Sequence, residues 1–301
     1  MDSFRSHGFT LAVQPPLPVP AAEAYSEAAL AASAGPMPGV HAARDLAWGP
    51  QAWQRMDIFA PATPAVGTRP VLVFLHGGGW TNGYKEWCGF MAPAVTALGA
   101  VLVAPGYRLA PDHRFPACLH DVLAAVAAAR DLLPRFAGDP DRLVLAGHSA
   151  GGHLVALAAL RPDLARAAGL PDGVIRGVLP ISGILDLAHP APPPGSLEER
   201  VYTQVLARPE DDHDASPVSF AARAAMPFFL AWGEHDTERV QRSNRQMAER
   251  MSRAGVAHAT CCYPGLDHFA THLVLRDPAH PWYGALSRML RTGGEVFAPP
   301  A

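Results

Sequence analysis

Leu143-Val144-Leu145-Ala146-Gly147-His148-Ser149-Ala150-Gly151-Gly152 is the stretch that decides the fold. A short, wholly apolar run meets a glycine, turns through a serine, and gives way to a second apolar run, Leu154-Val155-Ala156-Leu157. The first run has the length and composition of a strand buried on both faces, and the second suits a helix. The G-x-S-x-G spacing between them matches a nucleophile on a sharp strand-to-helix turn, whose flanking glycines let strand and helix approach closely. Such a turn exposes the hydroxyl, and the new helix offers free N–H groups to a developing negative charge. Ser149 is therefore the candidate nucleophile. A glycine-rich turn with an incidental serine is the competing reading, and its neighbours in sequence have to decide.

Working outward, the pattern repeats. Val71 to Leu75, Ala100 to Ala104, Val174 to Ile181, Phe228 to Trp232 and Ala259 to Tyr263 read as further strands, and Arg55 to Phe59 as an outer one. Helical stretches separate them at Trp87 to Ala97, Ala117 to Leu133, Glu238 to Ala254 and Trp282 to Arg291. Strands alternating with helices predict an α/β fold: a mostly parallel sheet with helices on both faces and functional groups at the strands' carboxyl ends. Residues 1–44 read as an N-terminal arm, proline-rich and irregular to residue 20, with a helix over Ala21 to Ala34. Residues 45–301 read as the catalytic domain. The segment 188–225, with Pro190, Pro192, Pro193 and Pro194, is too long for a plain connection. It is either a cap over the site or a surface excursion.

His76-Gly77-Gly78-Gly79-Trp80 follows the strand ending at Leu75. Glycines permit backbone N–H groups to approach an oxyanion at about 3 Å. Gly77 and Gly78, together with Ala150, are the candidate donors. A phosphate-binding loop is the rival, but neither G-x-G-x-x-G nor G-x-x-x-x-G-K-[ST] spacing is present. On a sheet of this kind an Asp or Glu and then a His follow the nucleophile, each after a later strand. Asp236, in Trp232-Gly233-Glu234-His235-Asp236, and His268, in Gly265-Leu266-Asp267-His268-Phe269, satisfy both order and place. Glu234 competes for the acid role, while Asp267 adjoins His268 and is poorly placed to reach its ring. His272 raises a metal pair with His268, but Phe269 stands where H-E-x-x-H needs glutamate, so no metal site is assigned. Trp80, His148 and Phe269 are the candidate pocket residues, with burial in the core the open alternative.

Taken together, these residues resemble the α/β-hydrolase superfamily, in particular its hormone-sensitive-lipase-like esterases and kynurenine formamidases. The esterase likeness rests on His76 to Trp80 and on Tyr107-Arg108-Leu109-Ala110-Pro111, with Phe115-Pro116-Ala117 and Asp121. The formamidase likeness rests on Gly147 to Leu154, Ser182-Gly183-Ile184-Leu185-Asp186-Leu187 and Asp267-His268-Phe269. His148 and His153 replace the Asp and Asn usual in the first group, a departure toward the second. The resemblance implies an α/β-hydrolase fold with a small cap or lid. It also implies a serine hydrolase cleaving small carboxylic esters or aryl formamides through an acyl-enzyme on Ser149, and a structural pair between Arg108 and Asp121. A non-catalytic ligand-binding protein on the same scaffold is the alternative; loss of a triad member would mark it, and all three are present.

Composition agrees. The 301 residues are 49% hydrophobic and 17% charged, enough for one large core. A formal charge of −3 gives no reason to expect nucleic acid or an anionic membrane. Lys85 is the only lysine, a compositional bias rather than an arginine patch. The four cysteines, Cys88, Cys118, Cys261 and Cys262, form no C-x-x-C pair and read as reduced. With neither a signal-like apolar core nor a membrane-length run, the expectation is a cytoplasmic enzyme acting on a small-molecule ester or amide without a cofactor. Oligomeric state stays open, a homodimer being one option.

Overall fold

The computed structural model describes residues 2–292. Ten strands run in chain order: β1 Ser3–Ser6, β2 Phe9–Ala12, β3 Val40–Ala47, β4 Arg55–Pro61, β5 Arg69–Leu75, β6 Val101–Pro105, β7 Gly138–His148, β8 Ile175–Ile181, β9 Phe228–His235 and β10 His258–Asp267. β3 to β10 form one eight-stranded sheet in the order β10-β9-β8-β7-β5-β6-β4-β3. Only the contacts of β4 with β3 and β6 are antiparallel; every other pair is parallel. The expected α/β-hydrolase sheet is the observed one.

The helices are α1 Pro20–Ala34, α2 Ala92–Ala97, α3 Ala117–Leu132, α4 Ala150–Leu160, α5 Pro162–Ala167, α6 Leu197–Arg200, α7 Glu238–Arg253, α8 Ala270–Leu273 and α9 Pro281–Thr292. Strand alternation sorts the core into two layers. Val71, Val73 and Leu75 of β5 pack with Leu119, Leu154, Val240 and Met247 from α3, α4 and α7. Leu72 and Phe74, pointing the other way, pack with Tyr25, Trp87 and Trp282, the first and last from α1 and α9. All eleven residues of α4 are buried, as expected of a helix apolar all round. Segment 188–225 lies against that first layer through Val218 and Phe220, and His153 on α4 donates from Nε2 to the Ala215 carbonyl at 2.6 Å.

Two expectations need correcting. The arm is not irregular before residue 20: β1 and β2 pair as an antiparallel hairpin. Residues 40–44 belong to the main sheet, because β3 crosses the expected boundary at 44/45 and pairs along β4. The helical stretch expected over Trp87 to Ala97 is present, as a 3₁₀ segment Lys85–Met91 leading into α2. No helix among the described residues is long and apolar enough to cross a membrane.

Candidate active site

β5, β7, β8, β9 and β10 are neighbours, so the loops at their carboxyl ends meet along one edge of the sheet. Ser149 sits between β7 and α4 at φ 54°, ψ −117°, a backbone state that L-residues rarely adopt. The turn is tight enough that a Cβ on Gly147 would stand 2.6 Å from the Gly151 backbone, and one on Gly151 2.2 Å from the Leu75 carbonyl. The sequence pattern is a steric requirement.

His268 reaches Ser149 from three strands away. Near the end of β10, four residue steps, Tyr263 to Asp267, span what two cover on β9, Gly233 to His235. Such an irregularity re-aims a strand end, here bringing the next residue back over the sheet edge. His268 Nδ1 lies 2.6 Å from Asp236 Oδ1 and Nε2 lies 2.8 Å from Ser149 Oγ. A carboxylate only accepts, so Nδ1 carries the proton and Nε2 presents its lone pair to the serine hydroxyl. Asp236 is buried, and its other oxygen accepts from Ser182 Oγ at 2.6 Å and the Gly233 N–H at 2.9 Å. Burial pushes this carboxyl upward, but the hydrogen bonds from His268, Ser182 and Gly233 and the His268 charge outweigh it, leaving it below the usual carboxylate range.

The competing residues are otherwise engaged. Glu234 is exposed and its Oε2 accepts from the Gly265 N–H at 2.8 Å, holding the irregular end of β10. Asp267 Oδ1 accepts from the Phe269 and Ala270 N–H groups at the start of α8. His272 is wholly buried, bonded through Nδ1 to Tyr25 Oη at 2.7 Å and stacked on Phe74 and His148.

The N–H groups of Gly77, Gly78 and Ala150 meet no protein acceptor among the described residues. Gly77 is hard against Ser149: a Cβ there would lie 3.1 Å from Ser149 Cβ. Tyr107, whose ring stacks on His76 at 4.3 Å, donates from Oη to the His76 carbonyl at 2.8 Å and steadies the loop. Leu197 of α6 comes within 4.0 Å of where a Gly79 Cβ would be, and Arg200 donates to Thr81 Oγ1 at 3.0 Å. Segment 188–225 thus stands over the glycine loop.

The pocket residues divide. Phe269 is half-buried at 5.4 Å from the His268 ring, between it and Tyr25 of α1. Trp80 and His148 are corrections: each is 1% exposed, and neither forms pocket surface. Trp80 donates from Nε1 to His153 Nδ1 at 3.1 Å, tying the glycine loop to α4. His148 donates from Nε2 to the His268 carbonyl at 2.7 Å, so it braces the backbone of His268. Burial and the nearby His268 and His272 hold its imidazole well below the ordinary histidine pKa and hence neutral. A cavity of about 310 Å³ is lined by Gln14, Trp53, His76, Tyr84 and Tyr107, and Ser149 is not part of its lining.

Thr271, Tyr25 and Gln14 were given no role from the sequence, and Ser182 entered only within the formamidase-like stretch. Ser182 had a usable signal: it closes β8, the strand lying between those that carry Ser149 and Asp236. Arg108 and Asp121 do pair, through two guanidinium bonds of 2.8 and 2.7 Å and one from the Arg108 N–H at 2.9 Å.

The comparisons agree with this geometry. The sequence profile of the alpha/beta hydrolase fold family matches residues 72–272. Esterase LipC of Mycobacterium tuberculosis is 35% identical over 72% of this chain and 55% of its own length. Carboxylesterase NlhH of the same organism is 31% identical over 70% of this chain and 69% of its own. The chain spans about half the length of several curated relatives, among them LipC and the probable carboxylic ester hydrolase LipM, of which 44% is covered. Among solved structures, the carboxylesterase EstE1 from a metagenomic library superposes with a TM-score of 0.72 at 22% identity, covering 91% of this chain and 96% of that one. Esterase B of Lactobacillus rhamnosis gives 0.71 at 20% identity, covering 91% and 92%. A parallel sheet read out at its carboxyl edge, a strained serine between β7 and α4, and a matching profile over two thirds of the chain make this protein a member of the α/β-hydrolase fold family.

Proposed function

We propose that the chain is a serine hydrolase of small carboxylic esters, working through an acyl-enzyme on Ser149. The observation that carries this reading is the unbroken line Asp236–His268–Ser149, with contacts of 2.6 and 2.8 Å, ending on a strained serine beside unengaged N–H groups.

Ser149 Oγ attacks the ester carbonyl carbon as His268 Nε2 takes its proton. The carbonyl oxygen becomes an oxyanion facing the N–H groups of Gly77, Gly78 and Ala150, where preorganised donors act without reorganisation. Asp236 holds the imidazole in the productive tautomer and stabilises the imidazolium. His268 then passes the proton to the departing alkoxide oxygen as the tetrahedral intermediate collapses. Water, deprotonated by the same nitrogen, cleaves the acyl-enzyme, and Ser149 regains its hydrogen. The ester assignment is supported by relatives named as esterases, LipC and NlhH among them.

A second reading, hydrolysis of aryl formamides, rests on His148 and His153 in the nucleophile motif and on the Ser182–Leu187 stretch. The machinery serves an amide leaving group equally, since His268 can protonate a departing amine. Rates on p-nitrophenyl acetate, p-nitrophenyl butyrate and N-formylkynurenine separate the two, the esters being expected to turn over faster. Ser149→Ala should lower kcat by about 10⁶ and abolish stoichiometric labelling by a fluorophosphonate. A folded Ser149→Ala protein that still turns over ester, or wild-type protein labelled at another serine, overturns the nucleophile.

A further inference from the structure

The glycine loop after β5 closes on itself before leaving the site. The N–H groups of Thr81 and Asn82 donate to the Gly78 carbonyl at 3.2 and 3.0 Å. Gly78 has φ +115°, and a Cβ there would lie 2.1 Å from the Asn82 carbonyl oxygen. Gly83 has φ +119°, and a Cβ on it would lie 2.4 Å from the Gly77 carbonyl oxygen and 2.3 Å from His76 Nδ1. The backbone of 82–83 is therefore packed directly on that of 76–78. Where Gly83 goes, Gly77 follows.

Residues 82–84 are themselves held by a piece of chain from the other end of the sequence. The Gln14 carboxamide pairs with both polar groups of the Gly83 backbone: Nε2 donates to the Gly83 carbonyl at 2.8 Å, and the Gly83 N–H donates to Oε1 at 2.7 Å. Asn82 Nδ2 donates to the Pro15 carbonyl at 2.6 Å, and Tyr84 Oη donates to the Ala12 carbonyl at 2.9 Å. Four hydrogen bonds thus tie residues 12–15 to three consecutive residues at the exit of the loop. The stretch they use begins at the last residue of β2, where the hairpin gives way to the proline-rich segment.

We propose that Gln14 is a positioning residue for the oxyanion donors. Its carboxamide splints Gly83, and through the Gly83–Gly77 contact it sets the Gly77 and Gly78 N–H groups relative to Ser149. The proposal rests on the reading of those two N–H groups as oxyanion donors. Loss of one such donor costs about 10²- to 10³-fold in kcat, and misplacement by an ångström about 10²-fold. Gln14 does not touch the triad, so its removal acts on the loop alone. Tyr107 and Arg200 still brace that loop, which sets the expected effect below complete loss of a donor.

The test uses the full chain carrying Gln14→Ala, with Gln14→Glu as the conservative partner that keeps the acceptor for the Gly83 N–H and loses the donor. With p-nitrophenyl butyrate, Gln14→Ala should lower kcat about 10- to 100-fold with KM changed less than about threefold. Gln14→Glu should recover part of the loss. A trifluoromethyl ketone, which adds to the serine and places an oxyanion among the donors, should bind more weakly by the factor lost in kcat/KM. Hydrogen–deuterium exchange over residues 76–84 should rise, while the thermal transition of the whole protein moves little. If exchange over 76–84 and kcat both match wild type, or if the loss falls on KM alone, the splint is overturned. If exchange rises but kcat and ketone affinity hold, Gln14 does restrain the loop and it is the oxyanion assignment that fails. Should Gln14→Ala not fold, the same readouts on Gln14→Glu decide between these outcomes.

Discussion

Asp236 and Glu234 stand two residues apart, and the structure gives them different work. Asp236 has one oxygen on His268 and the other on Ser182 and Gly233; Glu234 is exposed and holds only the Gly265 N–H. Replacing the acid by its amide puts a donor against Nδ1 and favours the wrong tautomer, so Asp236→Asn should lower kcat by up to about 10⁴. Glu234→Gln keeps an acceptor oxygen for Gly265 and should retain most activity, with stability shifting within about 0.5 kcal/mol. Rates and circular-dichroism spectra of the two variants check this, and a reversed order would make Glu234 the acid. Ser149, Asp236 and His268 were readable as the candidate triad because a triad on this kind of sheet has a fixed chain order. Their second neighbours were not. Thr271 and His148 act through distances that no spacing rule encodes, and Lys85 looks like mere bias until its Nζ is seen 2.7 Å from buried Asp57 and 2.6 Å from Glu86.

Among the elements, the segment between β8 and β9 was the open question, a cap or an excursion. It is anchored at several points along its length. Arg239, itself buried, donates to the Asp186 and Leu187 carbonyls at its entry, and Arg114 donates to the Thr203 and Leu206 carbonyls midway. The Phe115 N–H donates to the Val205 carbonyl at 2.7 Å beside them. Arg114→Ala removes two of these midway bonds and leaves the sheet untouched. The expected result is local opening: faster proteolytic cleavage within 188–225, with the global thermal transition within about 2 °C of wild type, a change of under about 0.5 kcal/mol. Limited proteolysis with mass-spectrometric mapping reads this directly. Unchanged cleavage would mean that Arg239 and the His153–Ala215 bond suffice to hold the segment. Sequence could mark this stretch as exceptional by its prolines and length, but anchoring depends on Arg114 and Arg239, which lie outside it.

At the scale of the molecule, the packing encloses neutral histidines. Burial lowers the pKa of His76 and His153 to about 4 and of His272 to about 3. In the unfolded chain each returns to about 6.5. Below that value the unfolded state binds more protons than the folded one, so stability is full above pH 6.5 and falls with acidity down to about pH 4, and to pH 3 for His272. Each group contributes a loss of about 1.4 kcal/mol per pH unit within its window. Urea unfolding at pH 7.5 and pH 5 should therefore show a markedly lower midpoint at the acid value. Equal midpoints would refute the buried neutral state of these rings. What the sequence determined by itself was the alternation of buried strands and helices, the glycine-flanked serine and the chain order of the candidate triad, because periodicity, turn sterics and chain order are local properties. Only the tertiary structure decided that Trp80 and His148 belong to the interior, that β1 and β2 pair, and that Gln14 grips the loop 69 residues away. Those outcomes are set by which surfaces meet across the sheet edge, and a contact between distant segments leaves no pattern in either one.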